Sequence, residues 1–363
     1  MDKKNLRIAI GIVVFASLIA ALYFWPTGPI EADSGHRLVM GTFARIVAVA
    51  EDLSTAKGCI EAAFTEIQTV DQLMSDYKSD SEISEVNRDG FRRAVEVSES
   101  TYEVLQRSVE FSKLTGGAFD VTVGPLVDLL RSAEKKEVVP SEEEIAEAKL
   151  KVGYQKLKLD VQNRTVKFTV NGMRLDLGGI AKGYAIDRAV EAMQKGGAIG
   201  GMVDIGGDIR CFGAPPRGKD HWLIGLQDPN LVARDPGSVT RDLAHERRVT
   251  SDGLRNGLLL VLKLENAAIA TSGSYRRFVL IGGKKYSHIL DTGTGYSSDR
   301  LASVTVITKN ATDADALATA VSVMGAERGL ALIEKTPQTE AILVSSSPKY
   351  ELIKTSDAEK YIK

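Results

Sequence analysis

The chain has 363 residues, 44% hydrophobic and 26% charged, an ordinary globular balance with material for one large domain or two closely packed halves. Its formal net charge of -2 and the lack of any Lys/Arg patch interleaved with aromatics argue against nucleic acid as a partner. The two cysteines, Cys59 and Cys211, offer neither a metal spacing nor a disulfide framework and read as separately buried thiols.

At the start, Lys3, Lys4 and Arg7 precede an apolar run from Ile8 to Trp25 that closes with Pro26. The run is long enough to cross a bilayer, and it ends in Leu22-Tyr23-Phe24-Trp25 rather than in the small residues of a cleavage site. Aromatics suit the membrane interface, and basic residues before the span place the rest of the chain outside the cytoplasm. The expected organisation is a basic cytoplasmic start over 1–7, a transmembrane anchor in the inner (cytoplasmic) membrane over 8–25, a linker over 26–35, one domain over 36–350 and a tail over 351–363.

After the linker, His36 to Ala50 reads as a strand with Met40-Gly41-Thr42 at its start, and Leu53 to Met74 carries apolar residues at helical spacing. Ser75 to Gly90 is rich in turn formers and reads as a polar loop, with Tyr77 its one aromatic before Phe91. Ser98 caps a helix that Gly116-Gly117 stops. Arg131 to Lys149 is charged and helix-leaning, with strands expected around Lys156–Leu159 and Thr165–Val170. Met173, Leu175 and Leu177 alternate as a strand would, run through Gly178-Gly179, and give way to a helical pattern from Tyr184 to Met193. Gly200 to Ile209 reads as one strand with Asp204 and Asp208 on one face. Pro229 to Asn256 is a polar surface insertion. Strands are expected at Phe278–Ile281, Tyr286–Leu290, Ser303–Thr308 and Ala341–Ser345, with helices opening at Thr312 and spanning Ala326–Lys335.

Several stretches carry chemistry beside a plain structural reading. The turn Asp176-Leu177-Gly178-Gly179-Ile180-Ala181-Lys182 brings backbone N–H groups and a lysine to a helix start, which suits a phosphate, or is an ordinary strand-to-helix turn. Tyr77 covers core edge or stacks on a planar ligand. Asp120, within an apolar segment, is a turn-stabilising acid or a ligand contact. Asp204 and Asp208 are an acid–base pair or a structural corner, with the corner favoured. His288, next to the turn Asp291-Thr292-Gly293-Thr294-Gly295, reads more readily as a core residue than as a catalyst. Asp315 and Thr319, at i and i+4, put a carboxylate and a hydroxyl together as magnesium with a phosphate requires, while Thr312 and Asp315 also match a capping box.

Taken in order, Met40-Gly41-Thr42, Met74-Ser75-Asp76-Tyr77, Gly117-Ala118-Phe119-Asp120-Val121-Thr122, Asp176 to Ala185, Asp204-Ile205-Gly206-Gly207-Asp208, Ala270-Thr271-Ser272-Gly273, His288-Ile289-Leu290-Asp291 and Asp315-Ala316-Leu317-Ala318-Thr319 resemble the FAD:protein FMN transferases, the ApbE family. The resemblance implies an α/β (α+β) fold of antiparallel sheets packed with helices in two intimately associated halves, holding FAD as substrate with magnesium, or manganese in its place. It implies FAD contacts at Met40, Tyr77, Ala118, Phe119, Asp120, Asp176, Lys182 and Ile289 or Leu290. Magnesium would sit on the Gly179 carbonyl, Asp315 and Thr319, with His288 and Lys182 as the catalytic groups. The implied reaction moves FMN from FAD to a Thr or Ser hydroxyl of an exported acceptor protein and releases AMP. A pyrophosphatase giving FMN and AMP, or a non-catalytic FAD-binding protein, are the alternatives. Three departures stand out: Thr292-Gly293 where the family commonly has Pro-Arg, a long 229–256 insertion, and no cysteine after the apolar run, which fits an anchor rather than a lipoprotein.

Overall fold

The structure, a computed structural model, describes residues 28–213, 215, 219–230, 257–273, 278–346 and 348–363. The expected anchor at 8–25 and nearly all of the 229–256 insertion lie outside the described residues, among which no helix is long and apolar enough to cross a membrane.

A hairpin of β1 (Ile30–Val39) and β2 (Thr42–Ala50) leads into α1 (Leu53–Met74), α2 (Glu82–Asp89), β3 (Val95–Glu96), α3 (Glu99–Leu114), α4 (Gly124–Lys136) and α5 (Glu142–Leu150). Next come β4 (Leu157–Asp160), β5 (Thr165–Phe168), α6 (Ala181–Lys195), β6 (Gly200–Ile205), β7 (Asp208–Phe212) and β8 (Trp222–Gln227). The chain continues through β9 (Leu258–Leu264), β10 (Ala268–Gly273), β11 (Phe278–Ile281), β12 (Lys284–Ser287) and β13 (Leu301–Thr308). It closes with α7 (Ala311–Met324), α8 (Ala326–Ile333), β14 (Glu340–Ser345) and β15 (Leu352–Lys354).

Eight strands form one sheet in the order β1-β2-β6-β7-β10-β13-β14-β15, every neighbouring pair antiparallel. Period-two alternation sends Ile46, Val203, Ala270 and Val304 to one face, under α1, α6 and α7, and Val47, Cys211, Ile269 and Ile307 to the other, under the β8–β9 hairpin. Both cysteines are buried and free, as expected. Helix α6 lies between α1 and α7. The antiparallel α+β architecture expected from the motifs is therefore the one observed.

Several expectations fail for local reasons. His36–Ala50 is not one strand but part of a hairpin whose two-residue turn is Met40-Gly41, both at positive φ (47° and 68°), and β1 reaches back to Ile30 into the expected linker. Gly200–Ile209 is likewise a hairpin turning at Gly206-Gly207, so Ile205 pairs with Asp208 and Asp204 with Ile209. Asp204 and Asp208 thus point to opposite faces. The 75–90 loop contains α2, capped by Ser81 and secured by buried Ile83 and Val86. Arg131–Lys149 divides into α4 and α5 around Pro140. Met173–Leu177 is no strand; its only ladder contact is a parallel bridge from Arg174 to Val123. The polar tail supplies the edge strand β15.

The site is set by how α6 meets α7. A Cβ on Gly183 would stand 2.2 Å from the Ala311 carbonyl oxygen, so only glycine lets these first turns touch. Gly183→Ala should therefore force the two helices apart and cost about 1–3 kcal/mol by urea unfolding at unchanged m-value; a variant as stable as the parent would show the contact to be loose.

Candidate active site at the crossing of two helix starts

The segment before α6 is held straight without a ladder. Asn87 accepts from the Leu175 N–H (2.7 Å) and donates to its carbonyl (3.0 Å), and the Asp176 N–H donates to the Val121 carbonyl (2.8 Å). The chain then turns at Gly178-Gly179 into α6. On the facing helix, Asp315 Oδ2 accepts from the Gly183 N–H (3.1 Å), and Asp315 Oδ1 lies 3.8 Å from Lys182 Nζ. A Cβ on Gly179 would fall 3.0 Å from Thr319 Oγ1 and 3.4 Å from the Phe119 ring. Gly179, Lys182, Asp315 and Thr319, expected to act together, do converge here with Phe119 behind them.

Lys182 is held from the sheet as well, since it makes an ion pair with Asp208, whose other oxygen accepts from the Thr271 N–H (3.1 Å). Asp208 is 3% exposed and acts as an anchor for Lys182, a role beyond that of a structural corner. The capping-box reading of Asp315 does not hold. Asn310 caps α7 by accepting from the Asp313 N–H (2.9 Å), and Asp187, reaching across from α6, accepts from the Ala311 N–H (2.8 Å), the Thr312 N–H (2.9 Å) and the Thr312 hydroxyl (2.6 Å). The phosphate-cradle reading also changes. At the α6 start the Ala181 N–H goes to the Leu177 carbonyl and the Gly183 N–H to Asp315, so what this turn offers an anion is the Lys182 ammonium more than a fork of N–H groups.

The donors fit a hard divalent cation. A buried carboxylate, a half-buried hydroxyl and a glycine backbone that meets that hydroxyl are all oxygen ligands, and one carboxylate leaves positions for phosphate oxygens. Among the described residues no cluster of three or more His, Cys, Asp or Glu side chains forms an alternative metal cage.

A second cluster stands beside Gly178. Tyr77 is 79% exposed, its hydroxyl accepts from Arg131 Nη2 (2.7 Å), and the guanidinium lies 4.6 Å from the ring centroid. Arg131 also binds Asp76 (3.1 Å) and approaches Asp176 (3.6 Å), while Arg174 joins Asp76 (2.8 Å) to Asp128 (3.0 Å). Asp176 Oδ1 accepts from the Gly178 N–H (2.8 Å). Burial, and then the negative charge of Asp76, push the Asp176 carboxyl above its ordinary range, opposed by the Gly178 N–H and the two arginines. Neither arginine carries a role in the sequence reading. The available signal is Arg174 two residues before the Asp176 motif; Arg131 lies in a charged, helix-leaning stretch that offers none.

The remaining expected contacts are less direct. Burial raises the Asp120 carboxyl, whose oxygens serve the Thr122 N–H (2.9 Å), the Thr122 hydroxyl (2.7 Å) and the Tyr154 N–H (2.8 Å), so it stabilises that turn while also lining the cavity beside it. Phe119 is buried edge-on against Phe111, which leaves Ala118 and the backbone to face a cavity of about 280 Å³ shared with Gly117, Tyr154, Thr292 and Arg300. The Thr292 hydroxyl donates to the Gly117 carbonyl (2.6 Å) and ties the 291–295 turn to that wall. Ile289 is buried, its N–H bonded to Ser287 and its carbonyl to the Ser298 N–H. His288, by contrast, is exposed on a bend just after β12, so the core reading is overturned. Met40 is half-buried in its hairpin turn, next to the β6–β7 turn that leads into Asp208.

Comparison with known proteins matches the ApbE family model over residues 40–343. A FAD:protein FMN transferase of Haemophilus influenzae is 34% identical over 275 residues, covering 74% of this chain and 73% of its own length. One from Vibrio cholerae is 33% identical over 297 residues, covering 81% and 79%. Among solved structures, the ApbE protein of Thermotoga maritima superposes with a TM-score of 0.77 at 31% identity, covering 92% of this chain and 99% of its own. The flavin transferase ApbE of Vibrio cholerae gives 0.74 at 28% identity, with the same coverage. A family model that spans most of the domain, together with relatives above 30% identity matched along most of their length, makes this chain a member of the ApbE family.

Proposed function

We propose that the chain is a FAD:protein FMN transferase acting on a Thr or Ser hydroxyl of an exported acceptor. The observation that carries this reading is the convergence of Asp315, Thr319, Gly179 and Lys182 where α6 meets α7, an oxygen-donor set with an ammonium beside it. In the proposed reaction the acceptor hydroxyl attacks the FMN phosphorus of FAD. A new phosphoester P–O bond forms, the P–O bond to AMP breaks, and AMP leaves with its phosphate. His288, exposed beside the Asp291 turn, takes the hydroxyl proton. Lys182, steadied by Asp208, faces the charge that grows on the leaving phosphate. Magnesium or manganese, held by Asp315, Thr319 and the Gly179 carbonyl, would supply charge neutralisation at the pyrophosphate. Ala118, Phe119, Asp120 and Ile289 contribute walls and backbone, while Met40, Tyr77 and Asp176 contact FAD. The basic-then-apolar start supports an N-terminal anchor with the domain on the extracytoplasmic side.

His288→Asn should slow flavin attachment to an acceptor protein by about 100- to 10,000-fold while leaving FAD affinity little changed. Asp315→Asn keeps an acceptor for the Gly183 N–H but removes the charge, and should abolish metal-dependent AMP release with the melting temperature preserved. Equal rates in either variant would remove that residue from the mechanism, and AMP formed with no flavin on protein would make the enzyme a hydrolase. In fractionated membranes the full chain should stay in the pellet after a carbonate wash; release into the supernatant contradicts the anchor.

Asp176 supplies a pH signature. Its folded carboxyl lies above the usual 3.8, so its contribution to folding is fully present below that value and is lost as pH rises through the folded one. Asp176→Asn keeps an oxygen for the Gly178 N–H, and its melting temperature relative to the parent should climb as pH rises above about 4. A relative melting temperature that falls over that range means the carboxyl is depressed instead.

A further inference from the structure

An aromatic side chain as exposed as Tyr77, at 79%, ordinarily turns among rotamers. Here it does not stand alone. Arg131 Nη2 donates 2.7 Å to its hydroxyl, and the guanidinium lies over the ring, 4.6 Å from the centroid. The guanidinium is fixed in turn by Asp76 at 3.1 Å and Asp176 at 3.6 Å. Asp76 is itself tied by Arg174 at 2.8 Å, and Arg174 Nη1 is 3.0 Å from both oxygens of Asp128. Three stretches far apart in sequence, the 76–77 turn, α4 and the 174–176 segment, therefore meet on one cation.

From this geometry we propose that Arg131 is a positioning residue for the flavin: it pins the Tyr77 ring from one side so that the other face is a preset platform on which the isoalloxazine stacks. The inference rests on the reading of Tyr77 as a FAD contact. Stacking between planar systems demands that both planes be oriented, and a ring already held spares the binding step the immobilisation of a mobile side chain. A guanidinium suits this task because its planar fork reaches two carboxylates and a hydroxyl at once, while its positive charge is attracted to the ring face. Lysine lacks that fork. Were the contacts only an exposed ion network, their loss would be felt little by any ligand.

The experiment is a double-mutant cycle read by quenching of flavin fluorescence, with FAD and with riboflavin, which has the ring but no pyrophosphate. Arg131→Gln should weaken both flavins by about 3- to 10-fold and reduce quenching in the bound state, raising KM for FAD more than it lowers kcat. Arg131→Lys retains a charge for Asp76 and Asp176, so it should keep the parent's melting temperature yet fail to restore quenching, and it carries the test should the glutamine variant unfold. In a Tyr77→Ala background the arginine substitution should add nothing. Additive losses, or a weakening confined to FAD, would overturn the positioning role and leave Tyr77 as a contact. If Tyr77→Ala alone leaves FAD binding intact, the contact reading itself fails and the proposal with it.

Discussion

Asp187 belongs to α6 but caps α7, and the placement of Asp315 and Thr319 at the helix crossing depends on that one carboxylate. It is 7% exposed, and its oxygens accept from the Ala311 and Thr312 N–H groups, the Thr312 hydroxyl and the Arg210 guanidinium (2.7 Å). A charged acceptor of this kind contributes about 1.5–3 kcal/mol per hydrogen bond, and removing it would strand two buried N–H groups. Because the bonds are made to the first turn of α7, they set the rotation of that helix. Asp315 and Thr319 then face Lys182 and Gly179 and not solvent. The absence of a side chain at Gly183 closes the remaining distance.

Around this crossing the charges are arranged in two linked groups. Lys182 stands between Asp208 from the sheet and Asp315 from α7, and Arg131 and Arg174 stand among Asp76, Asp128 and Asp176. In each group carboxylates hold the basic side chains before any ligand arrives. An anionic dinucleotide entering such a site meets cations whose side chains are already ordered, so little rearrangement is left for the binding step. The Gly178 turn joins the two groups, since it accepts direction from Asp176 on one side and leads into Lys182 on the other.

Much of this architecture is legible in the chain, and the failures share a cause. Helices such as α1, α6 and α7 announce themselves by apolar spacing, and the Asp315/Thr319 pair comes from helical geometry once α7 is located. The two hairpins escape a reading by pattern because a two-residue turn interrupts neither the apolar content nor the alternation on either side. At Met40 the turn also uses a residue that rarely adopts positive φ, where Asn-Gly or Asp-Gly would be visible. The short helix α2 hides in polar sequence because tertiary burial of Ile83 and Val86, more than propensity, holds it. Arg131 reaches Asp76 across 55 residues and Arg174 reaches it across 98, and no local pattern encodes such a pairing. At His288 an apolar neighbour on one side suggests burial, whereas the chain bends at that residue and turns its side chain outward.

The hydrogen bond from Gly183 to Asp315 spans 132 positions, and this separation governs when the site can exist at all. Loops of that length close slowly relative to local helices and hairpins, so the glycine turn, α6 and the first hairpins can form well before α7 arrives. A chain still emerging from a ribosome would carry Lys182, its partner Asp208 and the glycines, and yet lack the Asp315 carboxylate that the Gly183 N–H meets. The helix crossing therefore assembles late, once Ala311–Met324 has been made, and a chain ended before α7 lacks both Asp315 and Thr319.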